Sequence, residues 1–356
     1  MDQGFEPGCR PLLIGSLPLD DHGMALDLVL RYTPEIPLWV QLPGRKQEGM
    51  ISQFLPGMPG LAGPVGKESV RTDEEGFDEA LLAFYEEYLA VSEGEKNLDD
   101  SRFALTREAA EGFYTFLARI PTVAAGVAAV KGQITGPITL TTAVSDQNRS
   151  PIYYDERLRD VAVKLLAERG RWQARKLAAL EKPVIVFIDE PALAGFGTSE
   201  FTSISRKDVL CCLEEVIEAV ASEGAMVGIH VCANTDWSLV LESSIEIINF
   251  DAYSYFDRFV LYDESLRRFV DSGGIVAWGL VPTSRAEDID SESTDSLFSR
   301  WQEQFEKTVS LGIDRKRLLR QSLVTPSCGT GSIDPGHAEK VMALTASLSD
   351  KIRHSR

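Results

Sequence analysis

His230 and Cys232 stand two residues apart at the end of the apolar run Ala225 to Val231. Side chains along a strand alternate with period two, so both leave the strand on the same side. Neutral imidazole and thiolate are good zinc ligands, and zinc asks for four donors in a tetrahedron. Cys328, in Thr325-Pro326-Ser327-Cys328-Gly329 just past a later apolar run, offers a second sulfur. Two thiolates and one imidazole leave one corner to fill. Asp251 could fill it or sit behind the ligands, and an exchangeable corner would admit a substrate thiol. Coordination lowers a thiol's pKa and so creates a nucleophile at neutral pH.

Two adjacent acids, Asp189 and Glu190, end the run that starts at Pro183. That run is too apolar to bury two free carboxylates. At least one is expected to face the mouth that holds the ligands, where it could grip an ammonium group through a charge-assisted hydrogen bond. Ser16 and Gln133, at the ends of other apolar runs, offer hydrogen bonds to a substrate carboxylate or amide. The expected catalytic acids are Asp189 and Asp251. The expected substrate contacts are Ile14, Ser16, Gln133, Asp189 and Glu190, and the expected metal ligands are His230, Cys232 and Cys328. Cys211 and Cys212, among Val, Leu and Ile, read as packing residues of a helix, and Cys9 as a terminal bystander. His22, His337 and His354 fall on helix starts or the tail and read as surface residues.

Eight apolar runs could carry these groups: Pro11–Ser16, Ile36–Leu42, Val127–Leu140, Pro183–Pro191, Ala225–Cys232, Ile245–Tyr253, Ile275–Val281 and Leu318–Val324. Segments with helical patterning separate them, among them 75–92, 105–119, 155–180, 207–221, 259–271 and 294–311, with a last one at 335–348. Such alternation predicts parallel βα units. Eight units close a barrel whose active site gathers the C-terminal ends of the strands. The expected fold class is therefore α/β, a single (β/α)8 TIM barrel over 1–356, with a loop and helical insertion around 43–120. An open doubly wound sheet is the alternative, weakened by the lack of a G-x-G-x-x-G turn after the first strand. The Gly- and Pro-rich stretch from Pro43 to Gly66 is long for a loop and apolar enough to be an ordered lid or rim. The acidic run within 75–95 reads as a solvated helix face.

A formal net charge of −18 argues against nucleic acid as a partner, since phosphates would be repelled. Five cysteines, an odd number spread along the chain, together with an N-terminus lacking an apolar signal core, point to a reducing compartment, the cytoplasm. No apolar run approaches the length of about 18 residues that spans a membrane, so no membrane partner is expected.

Ile14-Gly15-Ser16, Ile188-Asp189-Glu190-Pro191-Ala192-Leu193, His230-x-Cys232 and Thr325-Pro326-Ser327-Cys328-Gly329 occur in an order that resembles the catalytic C-terminal domain of cobalamin-independent methionine synthase. That family lies within a wider barrel superfamily that includes uroporphyrinogen decarboxylase and corrinoid:thiol methyltransferases. The resemblance spans nearly the whole chain. It implies an enzyme of methionine biosynthesis, a methyltransferase that activates homocysteine or a similar thiol on zinc held by His230, Cys232 and Cys328. It further implies that Ser16 helps hold the amino acid carboxylate and that Asp189 holds its amino group.

The sequence departs from the family in three places. Asp251 is the nearest match to the family's glutamate ligand. Leu42-Pro43-Gly44 stands where a His-Gly pair precedes a substrate-binding acid, with Glu48 the nearest substitute. The second, N-terminal barrel of the full-length enzyme has no counterpart here. Methylfolate or a methyl-corrinoid protein is the expected donor, single-barrel relatives being associated with the corrinoid source. Two other readings are a metal-free lyase of the decarboxylase kind and a non-catalytic corrinoid-associated barrel.

Overall fold

A computed structural model of the chain describes residues 5–196 and 204–355. Seven of the apolar runs pair into one parallel sheet. Across the sheet the strands are Arg10–Pro11, Ser322–Pro326, Ile275–Val281, Ile247–Phe250, Met226–Val231, Val184–Asp189 and Val130–Thr135. Helices pack on its outer face; among them Glu156–Ala178 lies beside Arg206–Ala221.

Each strand is buried on both faces, which is why it reads as a continuous apolar run rather than an alternating one. Val184, Val186 and Ile188 point outward into the large core shared with the helices. Ile185 and Phe187, one residue out of phase, point inward with Leu12, Ile36, Ala129, Met226 and Ile247. The sheet thus curls around a second core of its own.

The structure revises several boundaries. The expected strand Val127–Leu140 is a strand only over Val130–Thr135, because Pro137 opens the helix Pro137–Ala143. Proline has no N–H to give a ladder, and its fixed φ suits a first helical turn. The run from Ile245 ends as a strand at Phe250, where the Asp251 side chain accepts from Ser254 N and starts the helix Ala252–Phe259. Leu318 belongs to the helix Arg315–Arg320, so the last strand begins at Ser322.

The expected second strand, Ile36–Leu42, is not a ladder strand, so the sheet has seven strands and not eight. Isolated parallel bridges join Leu38 to Lys131 on one side and Gln41 to Ser16 on the other. Pro37 accepts from Lys131 N at 3.0 Å but has no N–H of its own to donate. The helix Glu111–Arg119 also presses against this segment at Gly112, where a Cβ would fall 2.1 Å from Val40 O.

The insertion that follows is ordered. Short helical turns at Lys46–Glu48 and Ser52–Phe54 lead to the small strand Leu61–Ala62, which pairs with Ser69–Val70, which in turn pairs with Ser145–Asp146. Glu87, on the helix Phe77–Ser92, gathers the insertion by accepting from Lys96 Nζ at 2.7 Å, Arg102 Nε at 2.6 Å and Arg102 N at 3.0 Å. Burial alone would raise its carboxyl, but the Lys96 and Arg102 hydrogen bonds outweigh it and take the pKa from 4.5 down to about 2. The stability this carboxylate contributes is present above pH 4.5 and is lost as pH falls through about 2. Glu87→Gln is expected to lower stability at neutral pH and to weaken its acid dependence in that window. Urea midpoints measured against pH would reject this if wild type and variant ran parallel.

Candidate metal centre

A cavity of about 240 Å³ opens at the C-terminal ends of the strands. Its wall takes Ile14 and Ser16 from beyond the first strand, Asp189 from the Val184–Asp189 strand, His230 from the Met226–Val231 strand and Cys232 from just past it. Cys328 comes from just past Ser322–Pro326, and Glu48 and Met50 come from the insertion. The expected rim role of the 43–66 stretch thus falls on Pro43, Glu48 and Met50.

Ligand atoms of His230, Cys232 and Cys328 all lie within 4.8 Å of one another. His230 is buried, and its Nδ1 faces Asn249 Oδ1 at 2.5 Å. Its Nε2 is buried and makes no hydrogen bond. Burial works against a charged imidazole here, but the neighbouring Cys232 sulfur and Asp189 carboxylate outweigh it and raise the pKa. A hydrogen bond from the Cys328 thiol, opposed by burial and aided by His230, holds Cys232 well below the usual thiol range. The same pairing, together with burial, raises Cys328, so one proton serves both sulfurs. An orphaned imidazole nitrogen beside a thiolate and a thiol is a donor set that fits zinc, which would displace the shared proton.

Asp189 and Glu190, being adjacent, leave the strand on opposite sides. Asp189 faces the cavity, and its Oδ1 is buried without a hydrogen-bond partner. Burial, only partly offset by His230 and Lys131, pushes its pKa up to about 6. Glu190 turns away from the cavity wall. Its carboxylate accepts from Ile138 N and Thr139 N at 2.9 Å each and from Thr139 Oγ1 at 2.6 Å. The two backbone donors are free N–H groups at the start of the helix Pro137–Ala143, so Glu190 caps that helix.

The other expected residues divide in the same way. Ile14 lines the cavity. So does Ser16, whose Oγ accepts from Gly331 N at 3.2 Å. Side chains at 329 and 331 would destroy that approach, since a Cβ on Gly331 would fall 2.8 Å from Ser16 Cβ and one on Gly329 2.4 Å from Ser16 Oγ. Gln133 lies beneath Gly15, where its Nε2 donates to Trp39 O at 3.1 Å. Asp251 caps its helix through Ser254 N at 2.9 Å and stands outside the three-residue cluster. Its pKa is raised by burial, against the pull of that N–H.

Several functional neighbours escaped the sequence reading. Lys131 is fully buried, with its ammonium on Ile14 O, on Gln133 Oε1 at 3.3 Å and over the Phe187 ring at 4.6 Å. Burial lowers its pKa to about 8, with Asp189 opposing. A lysine at an inward position of an apolar strand was the available signal. His22 is not a surface residue: it is buried, with Nε2 at 2.8 Å from Glu48 Oε1. Glu48 Oε2 accepts from Leu42 N at 2.9 Å, so both oxygens of this cavity acid are engaged. Cys9, expected as a bystander, is buried and donates to Leu319 O at 3.3 Å. Cys212 packs in the core as expected, and its neighbour Cys211 is exposed.

Among the described residues no Arg or Lys lines the cavity, and no helix is long and apolar enough to cross a membrane. No family model matches the chain, and no curated protein matches it. Among solved structures the chain is similar to a B12-independent methionine synthase from Shewanella sp. W3-18-1 in complex with selenomethionine. The identity is 17%, the TM-score 0.47, and the match covers 67% of each chain.

Proposed function

We propose that the chain is a zinc-dependent methyltransferase acting on a thiol that also carries an amino group, homocysteine or a close analogue. The observation that carries this reading is the buried His230 Nε2, free of hydrogen bonds and gathered with two cysteine sulfurs on the wall of a cavity. Zinc held by His230, Cys232 and Cys328 would lower the pKa of a thiol that occupies its fourth position. With its proton lost to solvent, such a thiol would use its sulfur pair to form the bond to the methyl carbon, while the pair of the broken donor–methyl bond stays with the donor.

The chain's own groups orient the acceptor. Asp189 Oδ1, unpartnered on the cavity wall, receives the ammonium group. Ser16 and the backbone around Gly329 to Gly331 offer polar contact for the carboxylate, and Ile14, Met50 and Pro191 enclose the carbon stem. Among the described residues the wall carries no Arg or Lys, which gives a polycarboxylate lyase no support. In this reading Ile36–Leu42 is the eighth stave of one barrel over 1–356, supported by its bridges to both neighbours.

The test is metal analysis of freshly prepared protein followed by a methyl-transfer assay. About one zinc per chain is expected, with methylation of homocysteine from either methyltetrahydrofolate or methylcobalamin. Protein that holds no zinc even after zinc is supplied ends this reading. Comparing the two donors separates folate from corrinoid chemistry.

A further inference from the structure

The imidazole of His230 has two nitrogens, and only one of them can face the sulfurs with a lone pair. We propose that Asn249 is the positioning residue that makes this choice, holding His230 as its Nδ1–H tautomer with the Nε2 lone pair turned to Cys232 and Cys328. The proposal rests on the metal-binding reading above for its purpose, and on Asn249's own surroundings for its geometry.

Asn249 is fully buried and stands directly opposite His230 in the parallel ladder. Its amide is fixed from behind. Nδ2 donates to Ala277 O at 2.9 Å and to Thr325 Oγ1 at 2.7 Å. A backbone carbonyl can only accept, so the amide nitrogen must face Ala277 and the amide oxygen must face the imidazole. An amide oxygen likewise can only accept, so the proton between Asn249 Oδ1 and His230 sits on Nδ1. Nε2 is left as the unprotonated nitrogen, which is the one that lacks a hydrogen-bond partner. Metal-ligating histidines commonly rely on such a partner to fix tautomer and ring angle.

The chemical type of the partner also matters. A carboxylate here would fix the same tautomer but add a negative charge beside two sulfurs that bind metal as thiolates. The neutral amide orients the ring without that charge. Because Thr325 lies on the last strand and Ala277 on the one before it, the amide couples the ring's orientation to the strands that carry Cys328 into place.

The test uses Asn249→Ala and, as a gentler change, Thr325→Val, which removes only the hydroxyl that steadies the amide. Ring nitrogen chemical shifts of His230 in the metal-free protein, at a pH where imidazole is neutral, report the tautomer directly. The chain has four histidines, so a His230→Gln sample assigns the signal. Cobalt(II) titration reports the ligand set independently.

Wild type is expected to show Nδ1–H alone, and Asn249→Ala a mixture with Nε2–H. Cobalt affinity should fall about 10- to 100-fold in Asn249→Ala and less in Thr325→Val. Retention of the pure Nδ1–H tautomer in folded Asn249→Ala, or in both variants, overturns the proposal. A wild type that takes up no cobalt while its tautomer still shifts on substitution removes the metal reading and leaves the Asn249 assignment standing.

Discussion

His230→Ala and Cys328→Ser are each expected to strip the chain of its zinc and to abolish thiol methylation. Both residues supply potential ligand atoms within 4.8 Å of the others, and among the described residues the cluster offers three donors. Losing one leaves two, and metal affinity should drop by more than the roughly 10- to 100-fold typical of outer partners. Cys211→Ser is the control, since that thiol is exposed on the helix Arg206–Ala221 and should leave zinc content unchanged. The decisive measurement is zinc per chain after exhaustive dialysis, made alongside the melting transition. A Cys328→Ser protein that keeps its full complement of zinc would refute the ligand assignment.

Asp189→Asn should cost selectivity for the amino group more than it costs thiol chemistry. The Asp189 carboxylate is buried, and its Oδ1 has no partner within the protein. A buried acceptor in that condition lacks a bond it could make, and a charge-assisted hydrogen bond to an ammonium contributes about 1.5–3 kcal/mol. At 1.4 kcal/mol per tenfold, that predicts a fall of about 10- to 100-fold in kcat/KM for homocysteine. The desamino thiol 4-mercaptobutyrate should be methylated poorly by wild type and about equally by the variant, so the ratio between the two thiols collapses. If the ratio persists while both rates fall together, Asp189 acts on the reaction itself or on the fold, and the ammonium assignment fails. Glu190→Gln makes a contrasting pair. Its loss should register as instability of the helix start it caps, since Gln retains one acceptor oxygen where the carboxylate uses two.

These two acids show where sequence reasoning stops. Period two along a strand requires that Asp189 and Glu190 diverge, and that much was legible. Which one meets the cavity depends on the direction in which the sheet curls. That direction is set by Phe187 and Ile185 packing inward while Val186 and Ile188 meet the helices. Because both faces are apolar, the local pattern carries no sign of which is which. The same ambiguity hid Lys131 and Asn249, polar residues in apolar strands whose partners lie far away along the chain.

The sequence by itself determined the succession of parallel βα units and the residue types able to hold a metal, and it put His230 and Cys232 on one side of one strand. Strand and helix signals are local, written in apolar runs and in capping residues such as Asp21, Asp155 and Asp314. The tertiary structure alone decided that Ile36–Leu42 pairs through single bridges, that Glu190 and Asp251 become helix caps, and that His22 and Glu48 form a buried pair beside the cavity. It also brought Cys328 beside His230 and Cys232 and set the imidazole against Asn249. The physical reason is the range of the forces involved. A strand's parity follows from neighbours along the chain, whereas the partner of a buried polar group follows from which strands lie side by side once the sheet has curled.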